Sequence, residues 1–168
     1  MINLTPLLCL LLLVHAATAQ VESAKLNEDP VFKTVLSRQI VYPTDAERLG
    51  IYAKIYAGFH INRRGHIQDI SILNPTKIGY GFEQAVTKKL RKLPPLNPKY
   101  EGNYALPVIF ALVDYTNKGN LISPAGSLSN MQIGNRILLN EMRVISSKLP
   151  ILKGKELAPF SRETNPDQ

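Results

Sequence analysis

Two of the three histidines and the single cysteine are the side chains of this protein best suited to bind a metal. His60 and His66 flank a predicted turn, so their imidazoles could form part of a zinc or copper site. A third ligand would have to come from Asp69 or Asn62. Cys9 lies in the amino-terminal apolar run, which excludes disulfides and Cys-ligated zinc from the rest of the chain. Exposed histidines beside a turn are usually solvated, and we therefore expect no metal and no cofactor.

The remaining polar residues match no catalytic arrangement. The sequence contains no recognisable Ser-His-Asp set, no paired-carboxylate site and no nucleotide-binding fingerprint. Gly79-Tyr80-Gly81 lacks the spacing and the lysine of a phosphate-binding loop. The acidic residues fall mainly at predicted helix starts, where capping explains them. We therefore predict that the protein is not an enzyme.

Residues 1–19 have the features of a signal peptide. Leu7 to Ala17 is an apolar run interrupted by one histidine, and it is shorter than the roughly 20 residues that span a bilayer. Ala17-Thr18-Ala19 places small residues at the positions that a signal peptidase reads. We predict cleavage there, which gives a soluble, periplasmic or secreted protein that begins near Gln20. Retention of the segment as a membrane anchor is the alternative.

The formal net charge of +7 comes largely from two basic runs. They are Arg63-Arg64 and Lys88-Lys89-Leu90-Arg91-Lys92. In a cytoplasmic protein such runs would suggest a nucleic-acid partner. Because the leader indicates export, we predict no nucleic-acid binding. The runs are then either solvated surface or contacts to an anionic envelope polymer such as peptidoglycan.

Two short helices are predicted ahead of the first strand, after a loose segment at residues 20–30. Asp29-Pro30 is typical of a helix start, and the apolar spacing behind it predicts a helix that ends near Arg38. Tyr42-Pro43 ends this helix. The stretch from Thr44 to Gly50 predicts a second helix, with glycine at its carboxyl-terminal end.

A β-hairpin is predicted next. Apolar and polar residues alternate strictly from Ile51 to Asn62, which indicates a half-buried strand. Asn62-Arg63-Arg64-Gly65 predicts a tight turn in which the glycine takes a positive φ. The return strand runs from His66 to Leu73. Its alternation slips by one residue, which predicts a β-bulge near Gln68-Asp69.

The rest of the predicted domain is one helix and a third strand. Apolar residues from Phe82 to Leu93 line one helix face, and Pro94-Pro95 ends it. The segment from Tyr104 to Tyr115 predicts the third strand. Pro107 has no N–H, so it favours an edge position or a strand that begins at Val108. The element order predicts an α+β domain at residues 31–115, with a small three-stranded antiparallel sheet and helices on one face.

Residues 116–168 are predicted to form a linker, a helix and a tail. Residues 117–130 are rich in Gly, Ser and Asn, and residues 154–168 are predicted to form a frayed tail. The apolar residues between them suit an amphipathic helix, although residues 137–139 would also fit a strand. These apolar residues are Ile137, Leu138, Met142, Ile145 and Leu149.

The order of motifs over residues 32–112 resembles the TonB C-terminal domain family. Tyr42-Pro43 followed by Ala46 and Gly50 resembles the family's first motif. The alternation through Phe59 to Gly65 resembles its first strand and turn. The slipped second strand and the helix with its proline-rich exit complete the resemblance. The residues that carry the family motif as structural positions are Tyr42, Pro43, Gly50, Phe59 and Gly65.

The resemblance implies a non-catalytic protein-interaction module. Family members pair the exposed edge of their third strand with an extended segment of an outer-membrane receptor, and β-augmentation of this kind draws its affinity from backbone hydrogen bonds. Carried over to this chain, the partner is a protein or peptide. The edge that would bind it comprises Tyr104, Leu106, Val108, Phe110 and Leu112.

Three other interpretations stay open at this point. An uncleaved leader would make the protein a membrane-anchored minimal energy transducer for outer-membrane transport. The basic runs would suit a structural binder of anionic envelope polymer. Residues 117–149 would block the third-strand edge if they covered it from within the same chain. An open edge would also be compatible with a homodimer.

Overall fold

The structure is a computed structural model that describes residues 26–124 and 133–148. The predicted signal peptide, residues 20–25, part of the predicted linker, Leu149 and the predicted tail lie outside the described residues. In the described part of the chain, no helix has the length and apolar character needed to cross a membrane.

The main described elements are three helices and the six strands of one sheet. The helices are α1 (Pro30–Gln39), α2 (Thr44–Leu49) and α3 (Phe82–Leu90). The strands are β1 (Ala53–Ile61), β2 (Ile67–Ile72), β3 (Gly102–Asp114), β4 (Asn120–Ile122), β5 (Ile137–Leu138) and β6 (Met142–Ser147). Single 3₁₀ turns span Pro98–Tyr100 and Tyr115–Asn117.

The first helix begins where the sequence predicts it. The Asp29 carboxylate accepts hydrogen bonds from the backbone N–H groups of Val31 and Phe32, both at 3.0 Å. Pro30 fills the first helical position, where an N–H would have no acceptor. The predicted loose segment is wrong for residues 26–30, since residues 26–28 are helical. Leu26 is fully buried in the core, which is what orders this segment.

The hairpin of β1 and β2 contains the predicted bulge. Gly58 lies opposite Ser71 and His60 lies opposite Gln68, so two steps along β1 correspond to three along β2. The extra residue is accommodated at Asp69, whose φ is 53°. The slip in the hydrophobic alternation therefore corresponds to a β-bulge in the backbone.

β3 is the central strand of the sheet. β1 pairs with it antiparallel from Gly102 to Phe110. β4 pairs antiparallel with its last residues, while β5 and β6 pair with it in parallel orientation. The predicted α+β class, an antiparallel sheet packed by helices, is confirmed. The predicted number of three strands is wrong, because residues 120–147 add three further strands.

Pro107 lies inside this central strand, so the prediction of an edge position or a strand start at Val108 is wrong. The proline pairs with Tyr56 of β1. The Tyr56 N–H donates to the Asn74 side chain and the Tyr56 carbonyl accepts from Leu73, both on the β2 side. The Tyr56–Pro107 pair therefore exchanges no backbone hydrogen bond. The nitrogen of Pro107 faces the opposite edge, in the gap between β5 and β6, where no N–H is needed.

Residues 137–147 form β5 and β6 instead of the predicted amphipathic helix. Val144 lies beside Phe110 on the helix-covered face and is buried, whereas Ile145 lies beside Ala111 on the other face and is 55% exposed. The inward side chains therefore repeat every two residues. The helical spacing depended on counting Ile145 as a core residue, and it is a surface residue at the edge of the sheet.

Candidate partner-binding edge

The five side chains predicted to form the partner-binding edge lie in the core. None is more than 1% exposed, and all pack between the sheet and the helices. They are Tyr104, Leu106, Val108, Phe110 and Leu112. β5 and β6 also pair with β3, so the prediction that its edge is open is wrong. The alternative in which the chain covers this edge from within describes the structure.

The pairing register places β6 on the edge of β3 that faces away from β1. Leu112 and Val113 pair with β4 and also with β6, so these two strands must lie on opposite edges of β3. β1 pairs with the same strand only as far as Phe110, and β4 continues along its side. β5 and β6 together thus occupy the outer edge that a partner strand would need.

Backbone hydrogen bonds fix the carboxyl-terminal extension, defined here as residues 133–148, near its middle and at its end. The N–H of Leu139 donates to the carbonyl of Ala105, and the N–H of Lys148 donates to the carbonyl of Val113, each at 2.9 Å. Between these points the Asn140 N–H donates to the side chain of Asn27 at 3.0 Å. Leu139 is buried in the core, which adds an apolar anchor.

Ion pairs also connect the extension to the rest of the domain. The Lys54 ammonium lies 2.8 Å from the Glu141 carboxylate, and the Lys148 ammonium lies 3.2 Å from that of Asp114. The hydrogen bond from Lys54 lowers the pKa of Glu141, against the opposing effect of burial. Burial acts to lower the pKa of Lys54, but its bonds to Glu141 and Tyr56 outweigh burial and the pKa is raised.

The start of the extension packs over the sheet face opposite the helices. Ile133 contacts a small buried cluster that includes Tyr56 and Ala105. A Cβ atom added to Gly58 would lie 2.9 Å from Nε of Arg136, so the arginine side chain lies close against this glycine. The extension therefore packs on one face of the sheet and pairs along one of its edges.

Because the extension is paired with β3, β6 becomes the new edge strand. The N–H of Lys148 points to β3, and strand alternation then directs the backbone groups of Met142, Val144 and Ser146 to β3 as well. The N–H and C=O groups of the alternate residues must point outward. These residues are Arg143, Ile145 and Ser147. Within the two described segments, no strand pairs with this outer side of β6.

A cleft runs between the outer side of β6 and α1. Its two parts have volumes of about 310 and 420 Å³, and both are lined by Ser37 and Arg143. Val41 lines the larger part and is 66% exposed, and Ile145 lies on the same border. The cleft thus combines outward backbone groups with exposed apolar side chains, as a strand-addition site requires.

The opposite edge of the sheet is less suited to pairing. Among the described strands, β2 pairs only with β1, so its outer side is also open. The bulge at Asp69 interrupts it, and Gln68 and Asp69 are exposed there. Bulges and polar side chains are common ways in which proteins protect an edge strand from pairing. β6 is therefore the better candidate edge.

The five family-motif residues position the fold. The Tyr42 hydroxyl donates to the carbonyl of Ile51 at 2.6 Å, and burial, with a smaller effect of the Glu47 charge, raises the pKa of Tyr42 to about 12. Pro43 and Gly50 bracket α2, with the glycine at φ 68°. The other two motif residues lie in the hairpin. Phe59 stacks on Tyr104 with ring centroids 5.7 Å apart, and Gly65 has φ 79° in the turn.

The two histidines of the hairpin lie apart from any cluster of acidic residues. Nδ1 of His60 lies 3.1 Å from Oδ1 of Asn103, and His66 is exposed. Residues 26–124 and 133–148 contain no group of three or more His, Cys, Asp or Glu side chains that could hold a metal ion. The absence of a cofactor stays a prediction.

The sequence interpretation missed Arg143, Ile145 and Ser147 as edge residues. Met142-Arg143-Val144-Ile145 does alternate between the two faces with a period of two, and its two β-branched residues favour a strand. The helical spacing from Ile137 to Leu149 predicts a helix over the same residues and conflicts with this strand signal.

Residues 38–113 match the family model described as Gram-negative bacterial TonB protein C-terminal. The matched segment runs from the end of α1 to Val113 in β3, and it confirms the resemblance inferred from the motifs. β5 and β6 lie outside it. Comparison with curated proteins and with solved structures gave no match.

Proposed function

We propose that this protein is a non-catalytic interaction module of the cell envelope that binds an extended segment of a partner protein by β-augmentation. The resemblance of residues 38–113 to the TonB C-terminal domain supports an interaction role. The observation that carries the proposal is the outer side of β6. Its outward backbone groups at Arg143, Ile145 and Ser147 have no strand partner among the described residues, and Arg143 and Ile145 line a cleft.

The position of this edge determines where a partner segment would lie. The sequence placed the site on β3, but there the same chain already pairs with the strand. A partner segment would lie beside β6, one strand further out. Its backbone would bond to β6, while alternate side chains would enter the cleft near Val41 or lie beside Ile145. An extended segment of an outer-membrane receptor is the partner class that the family resemblance supports.

Direct binding to β3 is the competing arrangement. It would require β5 and β6 to leave the sheet. That would expose Leu139 and Val144 and would break the Lys54–Glu141 ion pair. These contacts favour binding on β6 without displacement. The predicted leader supports a periplasmic site of action, where such a receptor segment is accessible.

Site-specific crosslinking tests the proposal. A photoreactive amino acid at Arg143 should form an adduct with an envelope protein, whereas the same residue at Leu121, an exposed position on β4, should not. Ile145→Pro removes an outward N–H and should abolish the adduct from position 143. Ile145→Val keeps that N–H and should retain it. An adduct that survives Ile145→Pro would contradict backbone pairing at β6.

A further inference from the structure

The positive charge of this protein is concentrated at one end of the described structure. Residues 62–66 and 88–101 contain seven cationic side chains and one carboxylate, that of Glu101, while the whole chain carries +7. We call these seven side chains the basic end. They are Arg63, Arg64, Lys88, Lys89, Arg91, Lys92 and Lys99.

The fold brings the two basic runs together although they are separate in sequence. The N–H of Leu96 donates to the carbonyl of Gly65 at 2.9 Å, which holds the hairpin turn against the segment that follows α3. A Cβ atom at Gly65 would lie only 1.9 Å from the Leu96 carbonyl oxygen, so the approach is close. The turn carries Arg63 and Arg64, and the facing segment connects the end of α3 to Lys99.

Little of this charge is neutralised by the protein itself. Arg63 pairs with Glu101 at 3.2 Å, and it remains 87% exposed. No other cation of the basic end has a carboxylate within salt-bridge distance among the described residues. None of the large exposed apolar side chains of the described residues lies in these two segments. Val41, which is 66% exposed, lines a pocket together with Lys88 and Lys89, so one margin of the basic end is apolar and the rest is charged.

The basic end and the β6 edge lie at different places on the sheet. The hairpin turn follows Ile61, which pairs with Gly102 at the start of β3. β6 pairs with β3 only from Val108 to Val113. Since a strand rises about 3.3 Å per residue, roughly 20 Å along β3 separates the hairpin turn from the first β6 pair. Lys88 and Lys89 lie nearer, because they line a pocket with Val41, which also lines the β6 cleft. A ligand held at the hairpin turn would leave the β6 edge accessible.

We propose that the basic end docks on an anionic lipid surface. A turn, a helix end and a 3₁₀ segment contribute its cations, and the Leu96–Gly65 hydrogen bond holds the turn against the segment that follows the helix. A cluster built from several elements suits a charged plane better than a linear ligand does. Each Lys or Arg held near an anionic membrane surface contributes additively to binding, and no apolar insertion is needed for a reversible contact. This goes beyond the proposed partner site and does not depend on it.

Vesicle co-sedimentation of the purified full chain tests this proposal. The probes are vesicles of phosphatidylcholine alone and of phosphatidylcholine mixed with phosphatidylglycerol. The test variant neutralises four cations of the basic end, as R63Q/R64Q/R91Q/K92Q. The control variant neutralises four exposed cations elsewhere, as K33Q/R38Q/K77Q/K118Q, and so changes the net charge equally.

We expect binding only to the anionic vesicles, with at least about tenfold weaker partitioning of the test variant and little change for the control variant. Binding should also weaken as salt is raised. Equal losses in the two variants would overturn the proposal, because net charge alone would then explain them. Binding to isolated peptidoglycan sacculi but not to anionic vesicles would also overturn it. Circular dichroism of both variants verifies that they are folded.

Discussion

Lys54 makes one of the contacts that hold the carboxyl-terminal extension to the domain that resembles TonB. Its ammonium group bonds to Glu141, and the two side chains are 12% and 31% exposed. Arg143 also lies 3.4 Å from the same carboxylate. An ion pair this well shielded from water contributes more than the surface pairs of this protein, such as Arg63–Glu101.

The stabilisation from this pair should depend on pH in a definite direction. The folded protein lowers the pKa of Glu141 below 4.5, so the contribution is present above that value and is lost as the pH falls through the folded pKa. The pKa of Lys54 is raised above 10.5, so its contribution is lost only as the pH rises beyond that value. The pair therefore stabilises the fold between these limits.

Glu141→Gln should lower the free energy of unfolding by about 1–2 kcal/mol at neutral pH. The difference from the unsubstituted protein should shrink as the pH falls below 4.5 and through the lowered folded pKa of Glu141. Urea denaturation from neutral pH to below pH 4.5 measures this difference in the free energy of unfolding. Glu101→Gln is the matched control and should change stability by less than about 0.5 kcal/mol. A Glu141→Gln effect that is constant with pH would refute the role of the carboxylate charge.

Gly65 gives a second prediction at the residue scale. Its φ is 79°, and a Cβ there would clash with the Leu96 carbonyl at 1.9 Å. Gly119 has a similar φ of 73° but open space around it. Gly119→Ala should cost about 1 kcal/mol from backbone strain alone, whereas Gly65→Ala should cost at least about 3 kcal/mol. Equal losses in thermal or urea unfolding would show that the turn does not pack tightly on Leu96.

At the scale of elements, local sequence patterns correctly predicted the features that depend on interactions between residues close together in the chain. The capping of α1, the hairpin turn and the bulge at Asp69 each depend on residues close together in sequence. The assignment of β6 failed because a strand that pairs in parallel with β3 owes its position to contacts more than thirty residues away. Pro107 was misplaced for the same reason, since its position depends on the gap between β5 and β6.

The orientation of β6 predicts opposite effects of proline at neighbouring positions. The N–H of Val144 faces β3 and that of Ile145 faces outward, by alternation from Lys148. Val144→Pro should lose at least about 2 kcal/mol more stability than Ile145→Pro, because it removes a ladder hydrogen bond and a buried side chain. Amide hydrogen exchange at Ile109 and Ala111 should accelerate only in Val144→Pro. Similar acceleration in both variants would contradict the assigned orientation.

At the scale of the whole molecule, the extension moves the hydrogen-bonding edge of the sheet outward by one strand. The matched segment, residues 38–113, includes β3, whose outer edge the resemblance assigned to a partner. In this chain β5 and β6 take that position in parallel orientation. The edge of β3 that accepts an added strand was thus predictable from the resemblance, whereas the identity of that strand was not. A sequence pattern inside the domain carries no information about a strand added from outside it.

The two proposed surfaces rely on forces of different range, and this makes them separable in one molecule. Attraction between the basic end and anionic lipid acts at a distance and is screened over about 8 Å at physiological salt. Strand addition at Arg143, Ile145 and Ser147 depends on short, directional hydrogen bonds that respond little to salt. The roughly 20 Å along β3 between the hairpin turn and the first β6 pair would let the turn and the β6 edge be occupied together. Such an arrangement would hold the protein against a membrane while its sheet edge stays available to a partner, so either interaction can be removed by substitution without loss of the other.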